Sequence, residues 1–88
     1  MNEKLLVTVT ALKGTTFGDS KYVHGRISGM MAGICRTYHK PNESFANVKC
    51  DAGYRFRALA TPEEYELVKE RVTVWYGNSV FIDAEPVD

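Results

Sequence analysis

The chain has 88 residues, of which 44% are hydrophobic and 25% charged, and its 11 acidic and 11 basic side chains give a formal net charge of zero. This is the composition of one small globular domain, and it excludes a largely disordered chain. No apolar run approaches the ~18–20 residues of a membrane helix, so we expect a cytoplasmic protein with a thin core and no contact with membranes.

The charges are distributed unevenly along the chain. Residues 1–60 carry a balance of +5, whereas residues 61–88 carry a balance of −5. A neutral chain with this asymmetry can still present a basic surface. The alternative is that both signs mix on every face after folding.

Soft metal ligands are few. Cys35, Cys50, His24 and His39 are the whole set, and their spacing fits no zinc-finger or zinc-ribbon pattern. We therefore expect no metal and no cofactor, and we interpret the two cysteines as buried thiols that act as small apolar residues.

Residues 3–12 alternate between two faces and are rich in β-branched side chains, which predicts a strand. A turn-rich loop over 13–20 follows, and residues 21–28 then favour a second strand. A helix over 19–38 is the alternative, because Val23, Ile27 and Met31 recur at near-helical spacing. Three glycines at four-residue intervals disfavour that helix, since each costs about 1 kcal/mol relative to alanine.

The segment around Pro41 and Asn42 predicts a turn between two strands. One face of the resulting hairpin combines Arg36 with the aromatic residues Tyr38 and Phe45. Residues 54–59 alternate cleanly, with both of their arginines on the same side.

Thr61, Pro62 and Glu64 form a capping-box sequence with proline at the first helical position. This predicts a short helix over 62–70. The β-forming composition that follows, interrupted by Gly77 and Asn78, predicts a terminal hairpin over 71–85, although the helix could also continue as far as Gly77.

If 21–38 and 45–59 are two long bent strands, the order becomes strand, strand, strand, helix, strand, strand. This order predicts a mostly β protein: a five-stranded OB-fold-like barrel with one short helix between strands 3 and 4. Residues 1–88 would form this single domain, with a short acidic C-terminal end.

The loop Lys13-Gly14-x-x-Phe17-Gly18, the pair Lys21-Tyr22 and the run Tyr76–Ile82 resemble small phage-type single-stranded DNA-binding proteins, the helix-destabilising proteins. The resemblance implies non-sequence-specific binding of single-stranded nucleic acid. It also implies that the acidic end recruits a partner, such as a replication protein.

The side-chain chemistry favours the same function. Binding of single strands needs cations along the phosphates and aromatic rings on which bases stack. The residues expected to supply these groups are Tyr22, Arg26, Arg36, Tyr38, Phe45, Lys49, Arg55, Arg57 and Trp75. Any one of these aromatic rings could instead complete the core.

Two other interpretations remain open. The segment Val23–Gly29 resembles the phosphate-binding loop of acylphosphatases, which are ferredoxin-like α+β enzymes. Surface arginine and aromatic residues are also typical of protein interfaces, which suits a small phage or plasmid protein that inhibits a host protein. No recognisable catalytic arrangement is present, so we expect no enzyme, and exposed edge strands predict a homodimer.

Overall fold

A computed structural model describes residues 4–35, 48–50 and 53–87 of the chain. Strands and helices alternate along it in the pattern β-α-β-β-α-β, with one turn of 3-10 helix (Gly77–Ser79) before the last strand. The elements are β1 (Leu5–Leu12), α1 (Lys21–Ile34), β2 (Val48–Cys50), β3 (Gly53–Ala60), α2 (Pro62–Tyr76) and β4 (Val80–Pro86).

The four strands form one antiparallel sheet in the order β2-β3-β1-β4. β1 lies in its centre, where Val9 pairs with Phe56 of β3 and with Ile82 of β4. This element order and sheet order are those of the ferredoxin-like, split β-α-β arrangement. The predicted strands over 3–12 and 54–59 are confirmed by β1 and β3.

The core lies between the two helices and one face of the sheet, the inner face. Alternate residues of β1 and β3 point into it, as the period of two in their sequences requires. Among the described residues, the buried apolar side chains are those of Val7, Val9, Ala11, Val23, Ile27, Met31, Cys35, Phe56, Ala58, Ala60, Val68, Val72, Tyr76 and Val80.

The strand expected over 21–28 is wrong, because this segment forms the first half of α1. Ser20 caps the helix, and its hydroxyl accepts a hydrogen bond from the Val23 amide at 3.2 Å. Val23, Ile27 and Met31 are buried in the core. Burying each of these side chains contributes about 1.5–3 kcal/mol, which outweighs about 1 kcal/mol for each glycine.

The capping box at Thr61 is confirmed. The Thr61 hydroxyl accepts from the Glu64 amide at 3.2 Å, and the Glu64 carboxylate accepts from the Thr61 amide at 2.9 Å. However, α2 continues to Tyr76 instead of ending at 70, so the terminal hairpin over 71–85 is wrong. Val72 and Tyr76 are buried on the same side as Val68, and this burial overrides the β-forming composition.

The five-stranded OB-like barrel is therefore wrong as well, and the protein is a mixed α/β domain with an open sheet. Residues 45–59 are not one bent strand, because β2 and β3 pair with each other and Cys50 lies opposite Gly53. Gly53 has a φ of +142°, and a Cβ there would overlap the carbonyl oxygen of Ala11. Glycine therefore lets the two backbones approach at this end of the sheet.

Candidate nucleic-acid interface

The sheet has a second face, and neither α1 nor α2 lies on it. Because side chains alternate along a strand, this open face carries the residues between the core positions of β1, β3 and β4. The open face consists of Leu6, Thr8, Thr10, Leu12, Arg55, Arg57, Leu59, Phe81, Asp83 and Glu85.

The backbone register arranges these side chains in rows across the sheet. Arg55 lies opposite Thr10, which lies opposite Phe81 on its other side. In the next row Arg57 and Thr8 are followed by Asp83. Two guanidinium groups thus follow each other along β3, at a backbone spacing of about 6.6 Å.

Phe81 is the aromatic residue of the open face, and 53% of its surface is exposed. It lies two strands from Arg55, which is about 10 Å at the usual strand spacing. A cation and an exposed ring on one flat surface are the two groups that single-strand binding requires.

Arg57 also contains an unsatisfied donor. Its Nε atom is buried and has no hydrogen-bond partner among the residues that the structure describes. A buried donor without a partner costs stability.

The structure brings three other predicted residues together, on the opposite side of the molecule. The Arg26 guanidinium stacks over the Trp75 ring at 4.0 Å and lies 5.7 Å from the Tyr22 ring. Arg71 lies 5.7 Å from the same Trp75 ring. These contacts form a helix-layer cluster of Tyr22, Arg26, Arg71 and Trp75 between the start of α1 and the end of α2.

Beneath this cluster lies Tyr76, whose ring packs on Phe17 with 5.0 Å between centroids. Its hydroxyl is buried without a hydrogen-bond partner in the described part of the chain. Burial raises the pKa of Tyr76, and the nearby Arg26 charge partly opposes that rise. The hydroxyl is therefore neutral at physiological pH and adds no charge to the cluster.

The remaining predicted residues are Arg36, Tyr38, Phe45 and Lys49. Arg36, Tyr38 and Phe45 lie outside the described residues, as does the turn expected between them. Lys49 belongs to β2, where its backbone pairs with Tyr54. The predicted set is thus divided, with Arg55 and Arg57 on one side of the molecule and Tyr22, Arg26 and Trp75 on the other.

The acylphosphatase-like segment does not form a loop. Val23–Gly29 lies within α1, so its backbone amides are not arranged around an anion. A cavity of about 210 Å³ does lie beside the start of this helix, lined in part by Lys13, Lys21 and Tyr54. The His24 ring borders it, stacked on Tyr54 at 4.1 Å and hydrogen-bonded to the Gly18 carbonyl at 2.7 Å.

Cys35 is a buried free thiol at the end of α1, as the sequence predicts for it. Burial, and secondly the Glu64 charge, raise its pKa from 9.0 to about 11. Within the described ranges no group of three histidine, cysteine or acidic side chains could hold a metal ion. A search of the same residues finds no helix with the length and apolar character needed to cross a membrane.

The Cys35 thiol makes stability depend on pH in the alkaline range. The unfolded chain loses this proton near pH 9, whereas the folded protein keeps it until about pH 11. Stability from this group is complete below pH 9 and falls as the pH rises towards 11, because the unfolded state then binds fewer protons. Urea unfolding of the protein and of Cys35→Ala between pH 8 and 10.5 measures this change in the free energy of unfolding. We expect a smaller alkaline loss in the variant, and parallel curves would contradict the assignment.

Comparisons with protein-family models, with curated proteins and with solved structures found no match to this chain.

Proposed function

We propose that the protein binds single-stranded nucleic acid through the open face, without reading its sequence. The observation that carries the proposal is the placement of Arg55 and Arg57, both partly buried, on a sheet face that neither described helix covers and that also presents the exposed ring of Phe81. Guanidinium groups bind phosphates as bidentate donors, and an aromatic ring accepts the face of any base.

The acidic residues of the open face limit where a strand can lie. Asp83 and Glu85 follow Phe81 along β4 and lie opposite Thr8 and Leu6 of β1. Both are exposed and repel phosphates. A bound nucleic-acid chain therefore follows β3 and crosses towards Phe81, away from the acidic half of β4.

Binding of a fluorescent oligo-dT of about 16 nucleotides tests the proposal. The logarithm of the binding constant should fall with the logarithm of salt concentration, by about 0.7 per neutralised phosphate. Arg55→Ala and Arg57→Ala should each make that slope shallower by about one contact. Phe81→Ala should weaken binding by about 1–3 kcal/mol and leave the slope nearly unchanged, because stacking releases few ions.

Two further variants serve as controls. Lys69→Ala removes an exposed cation of α2, on the opposite side of the molecule, and should leave binding unchanged. Asp83→Asn removes a repulsive charge and should strengthen binding. If the unmodified protein does not bind at about 50 mM salt, where the electrostatic contribution is strong, the proposal is wrong and the surface arginines belong to a protein interface.

A further inference from the structure

Two large apolar side chains are exposed on α2. Leu67 is 52% exposed and Val74 is 72% exposed. They are seven residues apart, which is two helical turns, so they lie on the same side of the helix. This side is distinct from the one that buries Val68 and Val72 in the core.

The charges on the outside of α2 change sign along the helix. Glu63, Glu66 and Glu70 lie around a groove that Leu67 also lines. Towards the other end of the helix, Arg71 and the Arg26 guanidinium both lie against Trp75. Apart from the exposed Lys69, one half of the surface is therefore acidic, and the other half carries the two guanidinium groups, of which that of Arg26 comes from α1.

This pattern has a centre. Leu67 and Val74 are equally far from the point between Glu70 and Arg71. Turning the helix end to end about this point therefore places Leu67 where Val74 was and Glu70 where Arg71 was. An interface between two copies related by a two-fold axis needs this property, because each half of the patch must fit the other half.

We propose that the protein forms a homodimer in which α2 of one copy packs antiparallel against α2 of a second copy. Leu67 of each copy then contacts Val74 of the other, and Glu70 of each lies beside Arg71 of the other. The acidic half of each helix faces the basic end of its partner, whereas a parallel pair would bring like charges together. The open face remains free on both copies, so the dimer does not depend on the proposed function.

The interface is small. A helix of 15 residues is about 22 Å long, and contacts of this size belong to the weaker class of protein interfaces. We therefore expect dissociation in the micromolar range, with an affinity that decreases as salt screens the charges.

Sedimentation equilibrium over about 1–500 µM protein tests the dimer. The apparent mass of the unmodified protein should rise from 9.9 kDa to twice that value. Val74→Asp should weaken dimerisation at least tenfold. Phe81→Asp, which changes an exposed apolar residue on the opposite side of the molecule, should not affect it.

Charge reversal tests the antiparallel arrangement. Glu70→Arg and Arg71→Glu should each weaken the dimer, because each places like charges together twice. The double variant carrying both reversals should restore it, since every contact again joins opposite charges. Circular dichroism of each variant should match that of the unmodified protein, because the substituted side chains are exposed.

A protein that stays at 9.9 kDa over the whole concentration range overturns the proposal. So does a dimer that is sensitive to Phe81→Asp and indifferent to Val74→Asp. Failure of the double variant to recover overturns the antiparallel pairing. Oligonucleotide binding by Val74→Asp, measured separately, distinguishes loss of the dimer from loss of the open face.

Discussion

Replacing Phe56 with alanine should lower the free energy of unfolding by about 3–5 kcal/mol. Phe56 is the largest fully buried side chain in the described part of the chain, and it lies on the inner face of β3, opposite Val9. The His24 ring of α1 approaches it, with 5.9 Å between ring centroids. Truncation therefore leaves a cavity between the sheet and α1, which neighbouring strands and helix are too constrained to fill.

Urea unfolding followed by circular dichroism measures this loss. Phe81→Ala is the matched control, because it removes the same side chain from the exposed face of the same sheet. Its effect on the free energy of unfolding should stay within about 0.5 kcal/mol. Equal effects at the two positions would mean that the sheet does not have the inner and open faces described above.

Gly18→Ala should destabilise the protein by at least about 3 kcal/mol. Gly18 is buried in the loop between β1 and α1, and its amide donates to the Thr15 hydroxyl at 2.8 Å. That hydroxyl donates in turn to the Leu12 carbonyl at 2.7 Å. A Cβ at Gly18 would overlap the same carbonyl oxygen and lie 2.7 Å from the Thr15 hydroxyl, so the whole turn would have to move.

Gly25→Ala should have the opposite effect on the stability of the protein. Gly25 lies within α1, and apart from its two chain neighbours and the adjacent helix backbone no atom of the described residues lies within 4 Å of the position that its Cβ would take. Alanine there should stabilise the helix by about 0.5–1 kcal/mol, because it restricts the unfolded chain without any clash. Thermal unfolding of both variants compares them directly, and a stabilised Gly18→Ala would contradict the loop structure.

Sequence patterns predicted the elements whose formation depends on residues close together in the chain. The alternation of β1 and β3 follows from one face being buried, and the start of α2 follows from the Thr61 cap. The nature of α1 could not be decided in this way. Each of its glycines disfavours a helix. The burial of Val23, Ile27 and Met31 stabilises the helix by more than the glycines cost, but this burial exists only after α1 packs on the sheet.

The candidate site shows the same limit. The alternation of residues 54–59 placed Arg55 and Arg57 on one face, as the structure has them. Phe81 was missed, because its place beside Thr10 depends on β4 pairing with β1. That pairing is non-local, and the sequence near Phe81 instead suggested a hairpin with residues 71–76. The contact between Arg26 and Trp75 is non-local in the same sense, since it joins two helices.

Of the described strands, the central strand β1 is synthesised first, but its pairing is complete only when β4 has been synthesised. Leu5 of β1 pairs with Ala60 on one side and with Pro86 on the other. Both neighbours must therefore be recruited across most of the chain, and the entropy of closing these loops is lost before the pairing is gained. We expect folding to be slow for a domain with two helices. During synthesis β1 has both edges unpaired until β3 emerges, so this is the segment most exposed to wrong pairing with other chains.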